Sequence, residues 1–119
     1  IIYFAGQLGL DIENKFVGAP GDFRAQCAQA FENMALAMKA AGVRWSDVVK
    51  INNFLVGIEG NMAAFREVRD RYLNTSAPPA STTMRCIGSG SRSASRSSTR
   101  CVTGTGMTAP SACTLSSPR

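Results

Sequence analysis

From Asp22 onward the apolar side chains recur at Phe23, Cys27, Phe31, Met34, Met38 and Ala41. Spacings of three and four keep one face of a helix apolar. Gln26, Gln29, Glu32, Asn33 and Lys39 fill the remaining faces. Asp22 can accept a hydrogen bond from the free amides of a first turn, and its charge suits the positive helix end. Gly42 can take the left-handed conformation that closes a last turn, so the pattern predicts a helix from Asp22 to about Ala41. Past Val43-Arg44-Trp45-Ser46-Asp47 the pattern changes to Val48-Val49-Lys50-Ile51-Asn52-Asn53-Phe54-Leu55-Val56, a run of strand formers. Phe54 and Val56 would share one face and Val49, Ile51 and Leu55 the other, which predicts a central strand with much of both faces covered.

On either side of this helix and strand the pattern is less regular. Ile1 to Ala5 is strand-prone, and with no initiating Met before it the true start is expected to lie upstream. Gly6-Gln7-Leu8-Gly9-Leu10-Asp11 continues extended with two glycines, which mark either turn chemistry or a close approach of another backbone or ligand. A second helix is expected from about Met62 to Leu73, capped by Asn61, with Met62, Phe65, Val68 and Tyr72 as its buried stripe. Arg66, Arg69 and Arg71 alternate there with Glu67 and Asp70, which reads as a solvated face with a Glu67 to Arg71 pair one turn apart. Ala77-Pro78-Pro79-Ala80 must be extended, and Ser81-Thr82-Thr83-Met84 opens another strand.

At 119 residues the chain is long enough for one core. All nine aromatic residues fall between Tyr3 and Tyr72. The net charge of +5 comes wholly from Arg85, Arg92, Arg96, Arg100 and Arg119, since residues 1–84 carry eight basic and eight acidic side chains. A neutral domain gives no electrostatic reason to bind nucleic acid. Residues 85–119 hold nine Ser and five Thr and no aromatic residue, a composition expected to stay disordered. The Ser-Arg run between Ser91 and Ser98 is the one feature pointing to RNA. Without histidine or a C-x-x-C pair among the four cysteines no metal site is expected. Cys27 reads as a small apolar core residue. No run suits a membrane span or a signal peptide, and a cytoplasmic location is expected.

Taken in order, Tyr3 to Asp11, Gln26 to Gly42 with Ala30-Phe31-Glu32-Asn33-Met34 inside it, Asp47 to Lys50, Phe65 to Tyr72 and Pro79 to Thr83 resemble the Rid (reactive intermediate deaminase, YjgF-type) family over residues 1–84. The resemblance implies an α+β domain of the chorismate-mutase-like kind, two helices packed on one mixed sheet, with a first strand missing before Ile1. It also implies a homotrimer with small-molecule clefts between subunits. Deaminases of this family hydrolyse 2-imino and 2-enamino acids to 2-keto acids and ammonia without a cofactor. That chemistry needs a cation for the carboxylate, backbone groups to place the imine, and a carboxylate to order water.

Carried over residue by residue, the resemblance places substrate contacts at Gly6, Arg66, Ser81, Thr82 and Thr83 and assigns no catalytic residue. Ser81 stands where the deaminases have an arginine, Ala5 where they have a serine, and Arg66 where an asparagine sits on the second helix. No acidic residue follows Asp70, which leaves the last strand without its acid and points to a shifted reading frame behind Arg85 to Val102. The tail is therefore expected not to complete the sheet, leaving the stripe at Val49, Ile51 and Leu55 exposed. Alternatives to deaminase activity are a non-catalytic metabolite-binding or regulatory trimer and, with less in its favour, RNA binding or cleavage.

Overall fold

A computed structural model describes residues 1–86 and the backbone of 101–105. In chain order the elements are β1 (Gln7–Leu8), α1 (Phe23–Ala40), a single 3-10 turn at Trp45–Asp47, β2 (Lys50–Leu55), α2 (Ile58–Arg69), β3 (Ala80–Arg85) and β4 (Cys101–Thr105). The strands lie in the order β1-β4-β2-β3. β2 runs parallel to β3, while β4 is antiparallel to both of its neighbours. The result is the expected α+β arrangement, two helices and one mixed sheet.

The capping chemistry of α1 follows its sequence. Asp22 Oδ1 accepts from the amide of Ala25 at 3.0 Å, and Gly42, at φ +71°, closes the far end. There Gly42 N–H donates to the Lys39 carbonyl and Val43 N–H to that of Met38, the paired bonds that satisfy the last free carbonyls of a helix. Phe23, Cys27, Phe31, Met34 and Met38 are all buried, as their period requires. Ala41 lies just past the helix and is exposed.

On β2 the buried residues are Ile51, Asn53 and Leu55, and both apolar members are fully enclosed. This corrects the expectation of an exposed stripe at Val49, Ile51 and Leu55: the core formed by α1 and α2 takes in Ile51 and Leu55, and only Val49, ahead of the strand, is open. The more open face is the opposite one, where Phe54 is 36% exposed, so the described residues do not supply the cover on both faces that the pattern predicts. A second correction concerns the tail. β3 continues to Arg85, and Cys101–Thr105 enters the sheet between β1 and β2. Composition judged the tail by the apolar area it could bury, yet a central strand also needs backbone partners, and Val102, Thr103 and Thr105 are β-branched. The rest of the tail, Gly88 to Ser98 and Cys113 included, lies outside the described residues.

The second helix begins four residues before its expected start, after Gly57 at φ +59°. Asn61 is not its cap; the Asn61 side-chain amide donates to the Val56 carbonyl at 2.9 Å and ties the first turn to the end of β2. Phe65 and Val68 are buried as predicted, and the helix ends at Arg69, leaving Tyr72 and Leu73 to pack from the following turn. Phe31 lies at the centre of the aromatic core. Tyr72 stacks on it at 5.0 Å between ring centroids, Trp45 lies at 5.7 Å and Phe65 at 6.4 Å.

The hydroxyl of Tyr72 donates to Glu32 Oε1 at 2.6 Å. Burial first, then this carboxylate acceptor, push Tyr72 up from 10.0 to about 12. The neutral phenol is thus favoured by folding, so its contribution is complete below the unfolded value and is lost as pH rises through the folded one. In a Tyr3→Phe variant the remaining phenol is expected to ionise with a midpoint near 12. An absorbance titration with a midpoint at the ordinary tyrosine value would show that the Glu32 contact does not persist in solution.

β1 is held by α1. Gly9 is buried, and a Cβ there would stand 2.3 Å from the Gln26 carbonyl oxygen and 2.6 Å from its Cα. Of the two readings open for the glycine pair, the close approach of another backbone is the one realised at Gly9. Two turns further along α1, Asn33 Nδ2 donates to the carbonyls of Leu8 and Leu10, each at 2.9 Å, and its Oδ1 accepts from Gln29 at 2.9 Å. The segment Ala30-Phe31-Glu32-Asn33-Met34 therefore has a structural part to play throughout: three buried core residues, the Tyr72 acceptor and the clamp on β1.

Candidate functional site

The parallel connection from β2 through α2 to β3 leaves a cleft where α2 ends and β3 begins. Its volume is about 340 Å³, and Arg69, Asp70, Leu73, Asn74, Thr75, Pro78, Pro79 and Ser81 line it. A pocket of this size suits a small metabolite. Each wall has a local cause. Pro78 and Pro79 force the extended approach to β3, Leu73 reaches the core from the turn after α2, and Arg69 and Asp70 end the helix.

Charge in the cleft is concentrated at one point. Arg69 Nε donates to Asp70 Oδ1 at 2.8 Å, and Nη2 lies 2.7 Å from the same oxygen. Arg69 is the more enclosed of the two, its guanidinium carbon 5.9 Å from the centroid of the Phe65 ring. The neighbouring charges behave as a solvated helix face. Glu67 accepts from Arg71 at 3.0 Å, at the expected spacing, and pairs with Arg24 from α1. The Arg24 contact is the main reason the Glu67 carboxyl lies below its ordinary range. Arg85 pairs with Glu59.

The five residues assigned to substrate contacts do not converge within one copy. Ser81 lines the cleft, and its hydroxyl oxygen accepts from Asn53 Nδ2 at 3.2 Å. Thr83, in register with Asn53, shares the helix-covered side, whereas Thr82, in register with Asn52, turns to the open face of the sheet. Arg66 is exposed one turn before Asp70 and is not part of the cleft wall. Gly6 precedes β1 on the far edge, with β4 and β2 between it and β3. At strand spacings of about 4.8 Å the two edges stand roughly 14 Å apart, beyond the reach of one small ligand. Asn53 Oδ1, fully buried beside Ser81, has no hydrogen-bond partner among the described residues.

Arg69, Asp70 and the 73–79 turn were not singled out by sequence reasoning. An arginine in a charge-rich helix reads as solvated, and its projection into a cleft depends on where the helix ends. The available signal is an Arg-Asp pair followed eight residues on by Pro-Pro, which brings a helix end and a strand start together.

Residues 1–88 match the family described as endoribonuclease L-PSP. The chain is 33% identical over 82 residues to a 2-iminobutanoate/2-iminopropanoate deaminase of Dermatophagoides farinae, covering 68% of this chain and 62% of that protein. A deaminase of the same name from Capra hircus is 34% identical over 77 residues, 65% of this chain and 55% of that one. The chain thus spans less than two thirds of the length of these curated relatives. Among solved structures, RidA from an Antarctic Psychrobacter superposes with a TM-score of 0.69 at 29% identity, over 87% of this chain and 76% of that one. A match over residues 1–88, joined to these relatives and to the same arrangement of two helices on a mixed sheet, makes the chain a member of the endoribonuclease L-PSP family, that of the Rid proteins.

Proposed function

We propose that this protein binds a small carboxylated metabolite in the cleft between the end of α2 and the start of β3, at a contact between copies of the chain. The chemistry of its lineage is hydrolysis of 2-imino and 2-enamino acids to 2-keto acids and ammonia. The cleft itself carries this reading: it is of metabolite size and has Ser81, the position matched to the deaminases' arginine, in its wall. Names of the relatives favour imine chemistry. A homotrimer is supported by the separation of Gly6 from Ser81 on opposite sheet edges, which two copies meeting edge to edge would close. The open sheet face with Phe54, and the exposed Ile1, Ile2 and Tyr3, supply apolar surface for such a contact.

Binding without turnover is the form of this function that the side chains favour. Hydrolysis needs a carboxylate oxygen free to order the attacking water, and of the carboxylate in the cleft, Asp70, Oδ1 is taken by Arg69 and Oδ2 alone is left to meet the ligand itself. With 2-iminobutanoate generated in situ, 2-oxobutanoate is expected to form no faster than in buffer. Turnover abolished by substituting a cleft residue would establish the deaminase reading instead. Binding is tested by titrating the full chain with 2-oxobutanoate and following the amides of Leu73, Asn74 and Ser81. Signals unmoved by 2-oxobutanoate and equally by 2-aminobutanoate and propylamine at millimolar concentration would remove the cleft from consideration.

A further inference from the structure

Resting on that assignment of the cleft, we propose that Arg69 and Asp70 together select its ligand, making the site specific for a small zwitterion of the α-amino-acid kind over a plain carboxylate. Ser81 cannot supply a charge for a carboxylate. Arg69 can, because it lines the same cleft. A guanidinium has five N–H groups in a rigid fork, and the bonds to Asp70 Oδ1 occupy only the Nε and Nη2 side. The Nη1 amine and the second Nη2 hydrogen remain to face a ligand carboxylate.

The geometry is already arranged. Phe65 beneath the guanidinium carbon and Asp70 at its edge hold the fork in one orientation, so little side-chain freedom is lost on binding. Asp70 contributes the other half of the selection. Only its Oδ1 is engaged among the described residues, and Oδ2 can accept from an ammonium N–H. The pair is neutral as a unit, so a simple anion meets repulsion from Asp70 and a simple amine meets repulsion from Arg69. A ligand with both charges is opposed by neither. Leu73, Pro78 and Pro79 form the apolar wall against which a short aliphatic side chain would lie.

Three stable probes on the full chain separate the possibilities: 2-aminobutanoate as zwitterion, 2-oxobutanoate as anion and propylamine as cation, each titrated by calorimetry and by the amide signals of the cleft. The zwitterion is expected to bind at least about tenfold tighter than either single-charge probe, a factor worth about 1.4 kcal/mol. Arg69→Gln should weaken both carboxylate-bearing probes by tenfold or more. Asp70→Asn should weaken 2-aminobutanoate while leaving 2-oxobutanoate unchanged or tighter. Should Arg69→Gln fail to fold, Ser81→Asp, at an exposed strand position, places a competing carboxylate in the cleft and should produce the same loss. Undiminished binding in these variants, or equal affinity for anion and zwitterion, overturns the pair's role while leaving the cleft as a metabolite site. Failure of all three probes to bind the unaltered chain overturns both.

Discussion

Replacing Phe31 by alanine is expected to destabilise the chain by about 3–5 kcal/mol, the range for emptying an enclosed aromatic position. Phe31 has no exposed surface and is the one ring in contact with Trp45, Phe65 and Tyr72 together. Those partners arrive from three places, the turn before β2, the middle of α2 and the turn after it, and all three meet on this ring, with Trp45 and Tyr72 also 5.7 Å apart between centroids. Removing the ring therefore leaves a cavity that no single side chain can fill by a change of rotamer. Urea unfolding with an unchanged slope would measure the loss. A value below about 1 kcal/mol, within the ordinary spread of single substitutions, would mean that α1 packs by another face.

The second large effect is expected from Gly9→Ala, where an added methyl group is the damage. Its Cβ would lie 2.3 Å from a backbone oxygen of α1, and a helix backbone cannot swing aside as a side-chain tip can. β1 cannot retreat either, because Asn33 grips the carbonyls on both sides of Gly9. About 2–3 kcal/mol of destabilisation is expected, at the upper end of overpacking costs. Amide exchange should become faster at Gln7 and Leu8 before it does in β2. A Gly9→Ala chain within about 0.5 kcal/mol of the unaltered one would show that β1 lifts off α1 freely and that the glycine serves only the turn.

Why some features could be read in advance and others not comes down to range. The face of α1, its Asp22 and Gly42 caps, the strand through Ile51 and Leu55 and the Glu67 to Arg71 pair depend on spacings of a few residues, and each is where its pattern places it. The start of α2 was misplaced because Asn61 is a good cap by residue type, yet its amide is used by the Val56 carbonyl, a partner visible only once β2 has an end. Trp45 lies in a stretch that reads as connecting chain, yet it packs half-buried against the core. The strand at Cys101–Thr105 was missed because a central strand is defined by its neighbours, and neither neighbour is near it in sequence. For the site, Ser81 was found through family resemblance, whereas Arg69 could be distinguished from Arg66 and Arg71 only by knowing which side of the helix end faces the cleft.

The position of β4 also sets the order in which the molecule can be made. It is the last described strand along the chain and an inner one in the sheet, pairing Val102 with Leu8 of β1 and with Phe54 of β2. As synthesis proceeds, α1, β2, α2 and β3 can dock through short-range contacts, but β1 has no strand partner to join until Cys101–Thr105 has emerged. Closing so long a loop carries an entropic cost before any contact compensates it, and pairings this distant are slow to form. Meanwhile the inner edge of β2 presents unbonded amides and carbonyls to other chains. β1 and β4 therefore enter the fold together, and alterations in either strand act on the same interval, during which the nascent protein can still associate with the wrong partner.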